Sequence, residues 1–213
     1  MEKLNDVEGL RSSADICPEL KLVVGVESLS LFTSILQYGM DVVTQANIPL
    51  GKFFVSCPGF SEEYLAEAVQ TIFLNGTAVD DLHIPLCGEH PLVALSAAMP
   101  GLAGAIFRKG GRHASLRTAT IAEAPGRKVE QGPLTVTLKL FNAIARDKGE
   151  LILGLGAVMS SAVVVSFLEK REELWSRIRE LFLAGQAVRR EDLAGLLSGY
   201  DHVRLRVVSN GSC

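Results

Sequence analysis

An α+β fold built from an internally duplicated unit is the class this sequence predicts. Three observations lead there. Residues 62–79 (EEYLAEAVQTIFLNGTAV) and 171–188 (REELWSRIRELFLAGQAV) match at one spacing, with Phe73 and Phe182, and Gly76 and Gly185, each 109 residues apart. Between Leu65 and Val79, six of fifteen positions are identical across that offset, and Val69/Ile178 and Ile72/Leu181 keep apolar side chains. A gapless match of this length is what repetition of one supersecondary unit produces. Around each copy, apolar periodicity gives the order strand, helix, strand, helix, hairpin, strand. Finally, a chain of 213 residues that is 48% hydrophobic can bury a core. Mixed sheets with helices on one face follow.

The elements are justified in order. Residues 1–18 are polar and form a flexible N-terminal segment. Residues 20–26 (LKLVVGV) are β-branched and bounded by Pro18, which reads as a strand. Leu29, Phe32, Ile35 and Leu36 share a helical face that ends at Gly39. Residues 52–57 (KFFVSC) read as a strand broken by Pro58-Gly59. Ser61 caps the next helix, and Glu62 and Glu63 suit its positive end. Leu65, Ala68, Val69 and Ile72 then fall at i, i+3, i+4 and i+7, so the helix is expected to run to Ile72. Leu174, Ile178 and Leu181 keep the same stripe in the second copy. Asn75-Gly76 makes a two-residue hairpin turn, since both residues tolerate positive φ. Ala184-Gly185 fits that turn less well and leaves another turn type open. Leu65, Val69, Ile72 and Phe73, with Leu174, Ile178, Leu181 and Phe182, are the expected core of the two copies.

Residues 92–97 close the first half as a strand. Residues 134–141 (LTVTLKLF) alternate as a half-buried strand, and 142–153 read as helix. Residues 151–168 carry no charge, but they hold two glycines and three serines. A pair of buried strands with a turn, centred on 158–168, is therefore expected rather than a membrane span. A short helical turn at 192–197 and a strand at 202–208 complete the second half. The organisation is thus a first half at 19–117 that ends in a glycine-rich basic loop, a linker at 118–132, a second half at 133–209 and a tail at 210–213.

The stretch FLNGTAVDDLHIPL, followed by LVALSAAMPG, resembles the ubiquitin-like β-grasp of small sulfur-carrier proteins over some thirty residues. The resemblance implies β-grasp-like halves. Those carriers act through a free Gly-Gly tail, whereas this chain ends in Ser212-Cys213 and its Gly110-Gly111 is internal. The carrier function is therefore not expected.

A net charge of −3 gives no general attraction to nucleic acid. Cys17, Cys57, Cys87 and Cys213 lie far apart without a CxxC pair, and the first ten residues are too polar for a secretory leader. Free thiols in a reducing cytoplasm are expected.

Four groups of residues could carry chemistry. Arg108, Lys109, Gly110, Gly111, Arg112, His113 and Arg117 combine glycines, whose N–H groups can approach an anion, with cations that would neutralise it. This loop has no counterpart in the second half, and a solvated turn with surface charges is the simpler account of it. His83, Cys87 and His90 are metal-ligand types, with Cys57 as a distant fourth, although an ordinary loop is the simpler account. Cys57 before Pro58-Gly59 could be an activated thiol or a buried structural one. Asp80-Asp81 could pair for acid–base work, but the second copy has Arg189-Arg190 there. No triad, metal motif or phosphate loop is complete. The expected function is a binding or interaction protein. The alternative is an enzyme acting on a phosphate- or carboxylate-bearing small molecule at the basic loop. A subunit that covers a protein partner or a second copy of the chain is the third reading.

Overall fold

Alternation of apolar and polar side chains governs the strands, as in Leu134, Val136, Leu138 and Leu140 of strand β6, Pro133–Phe141, which are buried while the residues between them are not. The structure, a computed structural model, describes residues 17–97, 106–108 and 131–210. In chain order the strands are β1 Glu19–Val24, β2 Met40–Gln45, β3 Thr71–Leu74, β4 Thr77–Ala78, β5 Leu92–Ser96, β6, β7 Ala157–Ser160, β8 Ile178–Leu183, β9 Gln186–Ala187 and β10 His202–Ser209. The helices are α1 Leu29–Phe32, which runs on into a 3₁₀ segment Thr33–Tyr38, then α2 Leu50–Ser56, α3 Glu62–Glu67, α4 Asn142–Leu155, α5 Ser161–Glu169, α6 Glu172–Trp175 and α7 Arg190–Leu197.

The strands form one mixed, mostly antiparallel sheet in the order β4-β3-β5-β6-β2-β7-β10-β1-β8-β9. Its two parallel pairs are β1 with β10 and β5 with β6. From either edge the order runs hairpin, antiparallel neighbour, parallel partner, antiparallel strand, until β2 meets β7 at the centre. The halves of the chain interleave: β1 lies between β8 and β10, and β6 between β5 and β2.

Alternate residues of these strands join the helices in one hydrophobic core, where Leu138, Leu205 and Leu22 meet Phe32, Phe53 and Ile144. Gly149 lets α4 approach the α1 region closely, since a Cβ there would lie 2.5 Å from Thr33 Cβ. The second face of the sheet carries Lys21, Asp41, Thr137, Lys139, Arg204 and Arg206, all half-buried.

Four expected elements are corrected. Residues 52–57 are helix, not strand: Leu50, Phe53, Phe54 and Cys57 are buried at i, i+3, i+4 and i+7, while Lys52, Val55 and Ser56 face outward. Aromatic content suggested a strand, but the burial period is helical. The stretch at 158–168 is mainly α5, with only β7 before it, because core packing overrides the β-propensity of its valines. The helices after Ser61 and Arg171 stop at Glu67 and Trp175, and Ile72 and Leu181 lie in strands. Ser61 does cap α3, with Oγ accepting from the Tyr64 N–H at 3.1 Å. Leu65, Val69, Ile72, Leu174 and Leu181 are buried as expected, but Phe73, Ile178 and Phe182 are half-buried. Strand alternation turns Phe73 and Phe182 to the second face, where Phe73 packs on Phe107 with centroids 5.4 Å apart. Both hairpins use one turn geometry, with φ of 50° and 82° at Asn75-Gly76 and 49° and 80° at Ala184-Gly185. Among the described residues no helix is long and apolar enough to cross a membrane.

Candidate functional site

The centre of the sheet is its most loosely joined place. β2 shares six registered pairs with β6 but only one with β7, Asp41 opposite Val158. A cleft of about 690 Å³ follows this seam. Met40, Asp41, Val42 and Val43 all line it. Successive strand residues point to opposite faces, so the cleft is reached from both sides of the sheet. Its apolar wall comes from Ile152 and Leu155 of α4, Val163 of α5, and Val43 and Val158. Its polar end is built by Cys17, Asp41, Thr135, Thr137, Ser160, His202 and Arg204.

Strand register explains this polar end. Asp41 lies opposite Thr137 on one side and Val158 on the other. Val158 in turn faces Arg204, and Ser160 faces His202. Asp41, Thr137, Val158, Ser160, His202 and Arg204 therefore share the second face. His202 Nε2 lies 3.2 Å from Asp41 Oδ2, and the Thr137 hydroxyl donates to Asp41 Oδ1 at 3.0 Å. Both carboxylate oxygens are thus engaged. The imidazole must cross β7 to reach Asp41, because β10 and β2 lie on either side of that strand. It therefore passes over the face that carries Val158 and Ser160.

Arg204 completes the cluster. Its backbone N–H donates to Pro18 O at 2.9 Å, which fixes the strand end. Among the described residues no carboxylate pairs with its guanidinium, and nearby Glu19 sits instead 3.9 Å from Arg206. Cys17 precedes β1 by two residues and so shares the face of Glu19 and Arg204. Burial pushes its thiol pKa up, Arg204 opposes that, and Asp41 adds to it. The arrangement offers a fixed cation, an oriented imidazole and three hydroxyls at one end of an apolar slot.

The residues singled out in the sequence are placed differently. Of the basic loop, Lys109, Gly110, Gly111, Arg112, His113 and Arg117 lie outside the described residues. Arg108 is exposed, and its neighbour Phe107 packs against β3 while accepting from the Thr71 hydroxyl at 3.2 Å. His83 and His90 are exposed and Cys87 is half-buried; among the described residues no group of three such ligands is brought together that could hold a metal. Cys57 is buried and donates to Phe53 O at 3.4 Å, and burial pushes its pKa up to about 12, the reverse of activation. Asp81 accepts from the His83 N–H at 2.8 Å, a local turn contact. Arg189 pairs with Glu191 and Asp192, and Arg190 with Glu172.

A second groove of about 560 Å³ lies beside Trp175 and Arg190. Of its two arginines, Arg190 is already paired with Glu172 and stacked 4.7 Å from the Trp175 ring, and Glu172, Glu173 and Glu180 in the lining disfavour an anion. The seam cleft is the better candidate. Asp41 and His202 were missed because their contact depends on strand order. The available signal was the polar residues Asp41, His202, Arg204 and Arg206 at alternate positions of MDVV and HVRLRVV. Comparison with protein-family models, with curated proteins and with solved structures returned no match.

Proposed function

We propose that this chain is a small-molecule-binding protein whose seam cleft takes an amphipathic anion, a carboxylate on an apolar body. The observation that carries the reading is Arg204, a half-buried guanidinium with no carboxylate partner among the described residues, at the polar end of an apolar slot. A cavity of about 690 Å³ falls in the usual range for small ligands. Arg204 would pair with the anion through two N–H donors, and Val43, Val158, Val163 and Leu155 would cover the apolar body. His202 and Thr135 add hydrogen bonds at the head group. Straight-chain carboxylates of increasing length provide the test, with binding read by calorimetry. Affinity should rise with each added methylene and should fall about tenfold or more, ~1.4 kcal/mol, in Arg204→Ala. Equal affinity in wild type and Arg204→Ala would refute the reading.

A second reading keeps the segment 108–117 as the anion holder. Phe107 seats the start of that segment against the second face of β3, the face that also carries Arg204. The combined substitution Arg108→Ala, Arg112→Ala, Arg117→Ala discriminates: it should leave carboxylate affinity unchanged if Arg204 is the anchor and abolish it if the loop is.

We also infer that the two halves derive from one duplicated unit. The matched turn angles at Asn75-Gly76 and Ala184-Gly185 and the edge hairpins β3-β4 and β8-β9 support it, although the closing strands differ in place, β5 beside β3 but β10 beside β7. The duplicated unit builds the seam where its two copies meet, but Asp41 and His202 come from non-equivalent strands, so the site itself is not duplicated.

A further inference from the structure

We propose that the seam cleft carries a hydrolytic acyl-transfer site in which Ser160 is the nucleophile, His202 the general base and Asp41 the group that orients it. The proposal rests on the cleft being a binding site for an apolar acid and adds that the chain cleaves esters of such an acid.

Three observations support it. His202 Nε2 lies 3.2 Å from Asp41 Oδ2, an approach that favours the Nε2–H tautomer and so leaves the Nδ1 lone pair as the basic position. Thr137 holds the other carboxylate oxygen, so Asp41 cannot rotate away without losing a hydrogen bond. Ser160 is the residue directly across the ladder from His202, at a separation of about 5 Å between backbones, on the strand that separates His202 from Asp41.

Ser160 also stands where a strand turns directly into a helix. It is the N-cap residue of α5, yet its side chain makes no capping hydrogen bond, and it lines the cleft. The hydroxyl is therefore not committed to the helix. The Ser161 N–H is taken by Asp201 O at 3.0 Å. The next two N–H groups, of Ala162 and Val163, have no partner four residues back in the helix and lie immediately beyond the nucleophile. They are suited to hold an oxyanion that forms beside Ser160.

The step balances with water as co-reactant. Ser160 Oγ adds to the ester carbonyl carbon as its proton passes to His202 Nδ1. The tetrahedral oxyanion collapses, the bond to the alcohol oxygen breaks, and that oxygen takes the proton from Nδ1. Water then adds to the acyl carbon, gives a proton to Nδ1, and the carbon–Oγ bond breaks as Ser160 regains its proton. The products are one carboxylic acid and one alcohol. The acid is the ligand class expected at Arg204, so the same cation would hold the product.

Cys17 is the rival nucleophile, since it flanks His202 on the β1 side of β10. Its thiol is held protonated by burial, which disfavours it as an attacking group.

The experiment treats the full chain with a fluorophosphonate and with p-nitrophenyl butyrate, and maps the labelled peptide by mass spectrometry. Label on Ser160, loss of label in Ser160→Ala, and a fall in hydrolysis of roughly 100-fold or more in Ser160→Ala and His202→Ala are expected. Asp41→Asn should lower the rate and change the shape of its pH profile, which a purely structural role for Asp41 would not do. Absence of label, label on Cys17, or unchanged hydrolysis in Ser160→Ala would overturn the proposal. Carboxylate binding to Ser160→Ala is measured alongside. Binding without label overturns the chemistry and leaves the binding reading standing; neither binding nor label removes both.

Discussion

Replacing Ala184 by Asn should stabilise the protein, and replacing Asn75 by Ala should destabilise it by more. Ala184 and Asn75 occupy the same position of equivalent hairpin turns, with φ of 49° and 50°. A left-handed backbone brings Cβ against the following carbonyl and costs an ordinary residue about 1–2 kcal/mol, whereas Asn tolerates it. Ala184 is exposed, so no packing is disturbed by a larger side chain, and its backbone N–H to Glu19 O at 2.8 Å stays in place. The expected gain for Ala184→Asn is about 1 kcal/mol, seen as a rise in Tm of roughly 2–4 °C for a chain of this length. Asn75→Ala incurs the same backbone term in reverse. It also removes the bond in which Asn75 Oδ1 accepts from the Leu92 N–H at 2.8 Å. An exposed hydrogen bond adds about 0.5–1.5 kcal/mol, so the loss should be near 2 kcal/mol. Urea denaturation of the two variants gives both values. A loss of stability in Ala184→Asn, or a change in Asn75→Ala no larger than that in Ala184→Asn, would show that turn strain and the Asn75 contact have been misassigned.

Two further outcomes are expected. Phe182→Ala should cost under about 1.5 kcal/mol, because Phe182 is half-buried on the second face with Lys21 5.7 Å from its ring, while Phe53→Ala, fully buried, should cost about 3–5 kcal/mol; similar losses in chemical denaturation would contradict the assignment of faces. Cys57 binds its proton more tightly folded than unfolded, with its pKa pushed from 9.0 to about 12, so between those values the native state holds the extra proton and stability must fall as pH rises. The stability advantage of wild type over Cys57→Ala should therefore narrow above about pH 9, by up to ~4 kcal/mol in all; a constant difference up to pH 11 would refute the burial of this thiol.

What the sequence made legible follows from what is local. The strands at β1, β5, β6 and β10, helix α4 and both hairpins are set by alternation, turn residues and caps within a few positions. The misread stretches are those where two periods fit one short apolar run. Ile72 and Leu74 alternate as a strand, yet Leu65, Val69 and Ile72 also satisfy a helical stripe. For α2 the decisive signal was present, since Leu50, Phe53, Phe54 and Cys57 are spaced as one helical face. The candidate site was not legible at all. Asp41 and His202 stand far apart in the chain, and only the pairing of β7 with both β10 and β2 brings them together. No local pattern encodes a strand order.

The β2–β7 junction explains why the cleft lies where it does, and it supplies the last test. A fully zipped pair of central strands would leave no gap, but β2 and β7 meet in a single registered pair. Val158 is the β7 residue at that pair, facing Asp41 on one side and Arg204 on the other. Its side chain is half-buried and lines the cleft rather than the core. A larger apolar group there has room to occupy the slot without pushing into packed helices, so the overpacking penalty of a core site does not apply. Val158→Trp should leave Tm within about 3 °C of wild type, less than ~1 kcal/mol for a chain of this length. Carboxylate affinity should fall about tenfold or more, ~1.4 kcal/mol, because the indole takes the volume between Arg204 and the apolar wall. A folded Val158→Trp protein that binds carboxylates as tightly as wild type would place the ligand elsewhere and reduce the seam to a packing defect between two joined half-sheets.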